Sequence, residues 1–553
     1  MALIDYEATL AEADRRREAG KRDEAIRLYE AACAARPDRV YPLYWLATLF
    51  AETRDYERAW EHGQRGLAID PDQIGLLLEM GTLAEIRRDP LSALELYERA
   101  RRLDADIPGI DAKVAAQLAE LGRADEAASD YARALAREPG SRPLHTARLF
   151  CLNLSDTVPR GALFEEHRAL GSTIERSITP LPPRVPAHRP PVLRVGYVSP
   201  DLRAHGVPYF LLPLLASRSR DRFEHIVFDT ATRDEDAFTE RLRATEVRWH
   251  RGAGLDDASL ARLIRNESID VLVDLAGHTA GARLEVFAYK PAPVQATWLG
   301  YLGTTGLTRM DYRITDALMD PPGMTEHLHT ERLWRLPVHA CFAALAGAPA
   351  ITPSPAHANG FVTFGCVNQW AKASPTIRAT WAEILRRNPG ARLCIVARGG
   401  QNPELQRAIV EELVEGGAER DQIRVYPFLE TPEYTALLGR IDVALDPHPY
   451  GGGTTTFQCL WMGIPVVSLA GRSSLARNAV GPLHGVGLGD LVAASHAEYV
   501  AIASRLASDP ERLRRERTTL RDRMRTSRVM DGPAFARDFE AACDAMLVAA
   551  MRP

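Results

Sequence analysis

The chain has 553 residues, too many for one hydrophobic core, so we expect three or four domains. Hydrophobic residues make up 46% of the sequence and charged residues 25%, which is typical of a globular protein. The net charge of -5 and the pI near 6.3 give no electrostatic reason to expect nucleic acid or an anionic membrane as the main partner.

The N-terminal residues, the lack of a long apolar run and the cysteines predict a cytoplasmic location. The first residues, MALIDYEATLAEADRRR, are charged from Asp5 onward and contain no apolar segment of signal-peptide length. No run of about 18 apolar residues occurs, so we expect no membrane span. The seven cysteines are scattered, odd in number and not in metal-binding spacings, which favours reduced, buried thiols and no metal site.

A repeat of 34 residues occupies the first quarter of the chain. Small residues recur at this period, and a second small position follows seven residues later: Ala25, Ala59, Ala93 and Ala127, then Ala32, Gly66, Ala100 and Ala134. Five residues after the second small position, three of the four units have a proline. Four residues after the first small position, three units have a tyrosine and the fourth has Gly63. Small residues allow two helices to approach closely and proline ends the second, as in the tetratricopeptide repeat.

We predict about four such repeats over residues 1–140, forming a solenoid that binds a protein or peptide. A spacer or a dimerisation arm, which would make the protein a homodimer, is the alternative.

Two proline-rich segments divide the remaining sequence. Residues 141–178 have helical patterns, and the prolines that follow exclude both helix and sheet, so residues 141–191 are predicted as a helical junction ending in a stiff linker. A second such segment covers residues 346–360. Short apolar runs alternate with helical patterns over residues 192–345 and 361–553, which predicts two doubly wound α/β lobes, Rossmann-like, with a ligand in the cleft between them.

A glycine- and threonine-rich turn follows one predicted strand of the second lobe and opens a helix. It runs from Gly451 to Thr456 as GGGTTT. Glycines let a phosphate approach the backbone, and the helix N-terminus offers free N–H groups and partial positive charge. The segment is therefore a candidate phosphate site, although a plain strand-to-helix turn has the same pattern.

Three further polar residues follow predicted strands and are candidates for chemistry in the cleft. Lys372 has the charge to stabilise a diphosphate leaving group. His205 has the pKa range of a general base or of a polar substrate contact. Asp274 ends another strand of the first lobe. For each of them, a surface or structural role is the alternative.

Several stretches together resemble glycosyltransferase family 41, which includes protein O-GlcNAc transferases and Spindly-type protein O-fucosyltransferases. They are RVGYVSPDLRAH, LAGHTAGARLEVFAYKPAPVQATWLGYLGTTG, MDYRITD, FVTFGCVNQWAKASP and DPHPYGGGTTTFQCLWMGIPVV. The resemblance implies a GT-B fold behind the tetratricopeptide repeats. It also implies an inverting, metal-independent transfer from a nucleotide sugar to Ser or Thr of a protein, with no cofactor.

The resemblance also assigns roles to individual residues. His205 corresponds to the family's active-site histidine and Lys372 to its diphosphate-binding lysine. The nucleotide-sugar site would consist of Gln369, Tyr434, Gly452, Gly453, Thr454, Thr455 and Gln458, with Tyr434 stacking on the base.

Two departures leave the donor open. O-GlcNAc transferases have a histidine at the position of Gly453 and an acidic residue at that of Gln458. UDP-GlcNAc is the donor that we expect, and GDP-fucose, used by a Spindly-type O-fucosyltransferase, is the alternative. A non-catalytic tetratricopeptide scaffold is a further alternative, and a transferase acting on small molecules is disfavoured because the repeats would then have no role.

Overall fold

The computed structural model describes residues 5–184, 188–344 and 349–552. By contact density these residues divide into two compact units. The first runs to Leu144 and includes Ala397–Arg407, whereas the second comprises His145–Val396 and Ala408 onward. Parts of both predicted linkers, residues 185–187 and 346–348, lie outside the described residues.

The first unit consists of antiparallel helix pairs that confirm the predicted repeat. Its helices are α1 (Tyr6–Glu18), α2 (Arg22–Ala35), α3 (Val40–Glu52), α4 (Tyr56–Ile69), α5 (Ile74–Ile86), α6 (Pro90–Leu103), α7 (Ile110–Glu120) and α8 (Ala124–Arg137). Ala25, Ala59, Ala93 and Ala127 are completely buried where the two helices of each pair meet. The exception at Gly63 has a physical cause, because a Cβ there would lie 2.0 Å from the sulfur of Met80.

The second unit begins with two junction helices, α9 (Arg142–Leu154) and α10 (Arg160–Arg176). Helix α10 packs closely on the loop that follows the fifth strand of the next lobe. A Cβ on Gly171 would lie 2.1 Å from the carbonyl oxygen of Gly306, and a Cβ on Gly306 would lie 2.0 Å from that of His167. Glycine is therefore required on both sides of this contact.

The first α/β lobe is built on a parallel sheet with the strand order β3-β2-β1-β4-β5-β6-β7 in the described residues. The order reverses beside β1, which is the point where ligands bind in open parallel sheets. Its elements are β1 (Leu193–Ser199), α11 (Pro208–Ser217), β2 (Phe223–Asp229), α12 (Ala237–Arg243), β3 (Arg248–Arg251), α13 (Asp257–Asn266), β4 (Val271–Asp274), α14 (Leu284–Ala288), β5 (Val294–Thr297), β6 (Tyr312–Asp316) and β7 (Arg332–Leu336).

The second lobe repeats this plan with the strand order β10-β9-β8-β11-β12-β13, again parallel over the described residues. Its elements are α15 (Pro355–Asn359), β8 (Thr363–Cys366), α16 (Pro375–Arg387), β9 (Arg392–Val396), α17 (Pro403–Glu415), β10 (Ile423–Tyr426), α18 (Thr431–Leu438), β11 (Val443–Leu445), α19 (Thr454–Trp461), β12 (Val466–Leu469), α20 (Val480–Gly485), β13 (Val492–Ala493), α21 (His496–Ala507) and α22 (Pro510–Arg525), and α23 (Gly532–Ala550) follows at the end of the chain. Helix α15 lies within the predicted linker 346–360, so the prolines there do not exclude helix: Pro355 occupies the first helical position, where its missing N–H has no consequence.

The last helix does not belong to the lobe in which the sequence places it. Phe535 and Phe539 of α23 lie in the core of the first lobe, where the ring centroids of Phe539 and Trp298 are 4.9 Å apart. The boundary 361–553 therefore has to be corrected, since the chain returns from the second lobe to the first at its end. No helix of the described ranges has the length and apolarity that crossing a membrane requires.

Candidate active site

A cavity of about 280 Å³ lies between the two lobes of the second unit. It is lined by loops that follow the carboxyl ends of parallel strands, as expected for a doubly wound sheet. The first lobe contributes His205, Gly206, Val207, Phe210, Leu299, Gly300, Leu302, His339 and Ala340, and the second contributes Lys372, Tyr450, Gly453, Thr454, Thr455, Phe457 and Asn478. This set contains His205, Lys372, Gly453, Thr454 and Thr455 of the predicted site.

The glycine-rich turn is held by a buried carboxylate that the sequence did not single out. Asp446 follows β11 and accepts hydrogen bonds from the Gly452 amide and from the Ser468 hydroxyl, both at 2.7 Å. A Cβ on Gly452 would lie 2.8 Å from the same carboxylate, so glycine is required there. Burial raises the pKa of Asp446 to about 7, against the effect of these hydrogen bonds and of Lys372.

This arrangement changes the predicted role of Gly452. Its N–H group is engaged by Asp446 and is not free for a phosphate. Helix α19 starts at Thr454, and its first return hydrogen bond runs from the Phe457 amide to the Gly453 carbonyl. The amides before Phe457 therefore have no carbonyl partner within the helix, and those of Thr454 and Thr455 lie at the cavity wall.

Lys372 lines the same cavity as this helix start and holds its charge against an aromatic face. Its ammonium nitrogen is 4.2 Å from the ring centroid of Tyr450. The loops that carry these two residues are joined by a hydrogen bond of 3.0 Å from the Ser374 amide to the His448 carbonyl. Burial lowers the pKa of Lys372 to about 8, although the charge of Asp446 opposes this shift.

His205 reaches the cavity from the loop after β1. Its Nδ1 accepts a hydrogen bond of 3.4 Å from the Val207 amide and lies 3.9 Å from a carboxylate oxygen of Asp201. Withdrawal from water lowers the pKa of His205 and raises that of Asp201. A Cβ on the neighbouring Gly206 would lie 2.8 Å from the Thr454 hydroxyl oxygen, so the loops of the two lobes meet here.

Two predicted nucleotide contacts lie beside the cavity rather than in its lining. Tyr434 lies against the Thr455 side chain, and burial raises the pKa of Tyr434 well above its usual value. Gln458, expected at a ribose, lies against Tyr209 of the first lobe, where it opposes the rise that burial gives the pKa of Tyr209. Base stacking by Tyr434 and ribose binding by Gln458 stay predictions.

Gln369 and Asp274 are not among the described residues that line the cavity. Gln369 is exposed and precedes the short 3₁₀ turn that ends at Lys372. Asp274 is 1% exposed, and its carboxylate accepts hydrogen bonds from the Ala276 and Gly277 amides and from the Thr297 hydroxyl. The Asp274 carboxylate therefore stabilises the turn after β4, and these contacts do not support the predicted catalytic role.

Asn478 is a cavity residue that sequence reasoning missed, and it explains the glycine at position 453. A Cβ on Gly453 would lie 2.8 Å from the Asn478 side-chain nitrogen. That amide group lies 3.4 Å from the Gly451 carbonyl oxygen and is 8% exposed. The space beside the threonine pair, where O-GlcNAc transferases are expected to carry a histidine, is therefore filled by Asn478.

The fold and the cavity define a two-lobed α/β protein whose interlobe cavity is lined by a helix start and a lysine. The model of glycosyl transferase family 41 matches residues 179–343 and 355–539. The chain therefore belongs to this family.

The chain is similar to curated proteins and to a solved structure. It is 37% identical over 422 residues to the probable UDP-N-acetylglucosamine–peptide N-acetylglucosaminyltransferase SPINDLY of Oryza sativa subsp. japonica, covering 74% of this chain and 45% of that protein. The protein of the same description from Arabidopsis thaliana is 36% identical, with coverages of 73% and 45%. This chain thus spans less than half the length of these relatives. A mutant of Thermobaculum terrenum O-GlcNAc transferase has a TM-score of 0.82 and 32% identity, covering 93% of this chain and 98% of that one.

Proposed function

We propose that this protein transfers N-acetylglucosamine from UDP-GlcNAc to serine or threonine side chains of protein substrates, with inversion at the anomeric carbon. The observation that carries the proposal is the cavity lined by both Lys372 and the helix start at Thr454 and Thr455. The similarity to an O-GlcNAc transferase over 93% of the chain supports the same activity. The relatives named for UDP-N-acetylglucosamine support the same donor.

The proposed mechanism follows from where positive charge lies in the cavity. An acceptor hydroxyl attacks the anomeric carbon while the bond to the diphosphate oxygen breaks. The departing diphosphate gains negative charge, which the Lys372 ammonium and the free amides of Thr454 and Thr455 stabilise. Positioning and electrostatic stabilisation are thus the main contributions of the protein, and the charges that we assign to this role come from the chain itself.

A donor panel tests the proposal. Purified protein is incubated with UDP-GlcNAc, UDP-glucose, UDP-galactose and GDP-fucose, with and without a protein acceptor, and nucleotide release and acceptor mass are measured. We expect release of UDP and an acceptor heavier by one N-acetylhexosamine. Modification from GDP-fucose alone would assign the protein to the Spindly-type fucosyltransferases, and release from none of the donors would favour the non-catalytic scaffold.

Removing residues 1–140 should separate donor chemistry from acceptor binding. The described residues that line the cavity come from His205 onward, so we expect the truncated protein to hydrolyse UDP-GlcNAc at a rate within about threefold of the full chain. Transfer to protein should fall by on the order of tenfold or more, because stacked repeats form an extended surface for a polypeptide. Hydrolysis and transfer are measured on the same preparation, with UDP affinity as the folding control. Equal transfer by both forms would reduce the repeats to a spacer or a dimerisation arm.

The nucleotide site should discriminate bases weakly. Lys372, Thr454 and Thr455 contact the diphosphate in the proposed pose and do not distinguish one base from another. Gln458 lies against Tyr209 of the first lobe, and stacking on Tyr434 is possible for any base. We expect UDP to bind and GDP to compete within roughly tenfold, about 1.4 kcal/mol. Competition titration measures this ratio, and a preference beyond a thousandfold would reveal a contact that reads the base.

The proposed cellular location is the cytoplasm. Cys33, Cys151, Cys341, Cys366, Cys394, Cys459 and Cys543 are all buried as free thiols. Such thiols are typical of proteins in reducing compartments.

A further inference from the structure

The cavity contains a second imidazole, which neither the sequence motifs nor the proposed function has assigned. His339 follows β7 and lines the cavity together with His205 and Lys372. Its Nδ1 lies 2.8 Å from a carboxylate oxygen of Asp316, and its backbone amide donates to the same oxygen at 2.9 Å. The carbonyl of His339 accepts a hydrogen bond of 2.7 Å from the Trp298 indole. Backbone and ring are therefore both fixed.

Asp316 is held in its ionised form. Its other carboxylate oxygen accepts the Leu318 and Met319 amides at 2.8 Å and 2.7 Å. Burial alone would raise the pKa of Asp316, but the His339 imidazole and the Met319 and His339 amides outweigh burial and lower it to about 2. A charged carboxylate beside Nδ1 requires the proton of a neutral imidazole to be on Nδ1. The Nε2 atom of His339 then carries a lone pair and accepts a proton.

The partner of His205 gives that ring the opposite tautomer. Its Nδ1 accepts a hydrogen bond from the Val207 amide, so the proton of the neutral ring is on Nε2. Asp201, at 3.9 Å, is too distant to reverse this through a direct hydrogen bond. In the neutral state, His205 is therefore a hydrogen-bond donor on its Nε2 side, whereas His339 is an acceptor.

We propose that His339, oriented by Asp316, is the general base of this cavity and that His205 acts as a hydrogen-bond donor to the substrate. The inference rests on the proposed glycosyl transfer. As the acceptor oxygen bonds to the anomeric carbon, its proton passes to Nε2 of His339. The electron pair of the breaking bond leaves with the diphosphate. The imidazolium formed is stabilised by the Asp316 carboxylate, the same logic by which a carboxylate supports a histidine base in hydrolases.

Other charged groups surround the pair and would also affect a pH profile. His205, Lys372 and the Tyr450 phenol line the same cavity, and the charge of Asp316 reaches Arg477 of the second lobe. Gly481 of helix α20 packs against the pair, and an added Cβ there would lie 3.3 Å from Asp316 and 3.7 Å from Nδ1 of His339. Burial raises the pKa of the adjacent Cys341 to about 12, so this thiol is neutral near pH 7. A substitution at Asp316 is therefore a more selective probe of His339 than a pH profile of the wild type alone.

Three variants of the full chain test the proposal through kcat, donor KM and their pH dependence. His339→Gln keeps a hydrogen-bond acceptor but cannot take a proton, and we expect kcat to fall on the order of 100-fold while donor KM changes less than about threefold. Asp316→Asn presents an amide to Nδ1, which reverses the tautomer, and it should lower kcat to a similar extent. His329→Gln is the matched control, because His329 lies 3.8 Å from a buried carboxylate, that of Asp320, but does not line this cavity.

The outcomes separate the proposals. A folded His339→Gln protein that keeps more than about a third of wild-type kcat would overturn the assignment. So would a variant whose defect is confined to donor KM, since His339 would then only bind the sugar. If His339→Gln does not fold, as judged by UDP affinity and thermal midpoint, Asp316→Asn decides by the same criteria. Failure of the wild type to release nucleotide from any donor would instead refute the proposed function.

Discussion

Replacing Lys372 by alanine is expected to lower the rate of transfer on the order of 100-fold, about 3 kcal/mol in transition-state free energy. The ammonium group lies over the Tyr450 ring and shares a cavity with the start of α19, where we place the departing diphosphate. Removing it leaves the Thr454 and Thr455 amides as the remaining stabilisers in this position. The measurement is the single-turnover rate with saturating UDP-GlcNAc, so that weaker donor binding does not obscure the effect on chemistry.

Lys113→Ala is the matched control for this variant. Lys113 also lies over a tyrosine, with its nitrogen 4.8 Å from the ring centroid of Tyr97, but it belongs to the repeats. Its loss should leave the rate of donor hydrolysis unchanged. A folded Lys372→Ala protein with near wild-type turnover would contradict the proposed role of Lys372.

The pKa of Lys372 also predicts how the rate of the wild-type protein depends on pH. Burial lowers this pKa to about 8, so the lysine loses its charge as the pH rises through that value. The wild-type rate should then decline above about pH 8. A Lys372→Ala variant should lack this decline, because it has no group there to deprotonate.

The repeat and the two lobes could be predicted from sequence because their determinants are local and periodic. A 34-residue spacing of small residues fixes where helices meet, and strand and helix patterns have different periods. The return of α23 to the first lobe could not be predicted in this way. Phe535 and Phe539 are apolar residues of an amphipathic helix, and nothing in that pattern says which of two hydrophobic cores will accommodate them.

The same distinction applies to the cavity. The motif around Thr454 and Thr455 could be found because a glycine-rich turn before a helix is contiguous in sequence. Asp446, Asn478 and His339 could not be identified as cavity residues from the sequence. Each of them depends on a partner that is distant in sequence or on space left by a residue without a side chain. His339 follows β7, and a position after a strand is one that many polar residues share. Asp274 lies at the end of a strand as well, and its carboxylate stabilises a turn instead.

Replacing Gly306 by alanine is expected to destabilise the second unit by about 2–4 kcal/mol. The backbone of Gly306 has φ +75°, and an added Cβ would lie 2.0 Å from the His167 carbonyl oxygen of α10. The left-handed conformation costs a residue with a side chain about 1 kcal/mol, and the overlap with a backbone atom adds on the order of 1–3 kcal/mol because a carbonyl cannot rotate away as a side chain can. Thermal or urea denaturation of the full chain measures the loss.

Gly323→Ala separates these two contributions. Gly323 has a similar φ of +82°, but an added Cβ there meets no atom within 4 Å. It should therefore show the conformational cost alone, and the difference between the two variants reports the contact between α10 and the loop around Gly306. That loop continues from Leu299, Gly300 and Leu302, which line the cavity, so Gly306→Ala should also lower the affinity for UDP-GlcNAc in the protein that remains folded. Equal stability of the two variants would show that α10 can move away from the loop, and the junction helices would then not contribute to holding the cavity wall.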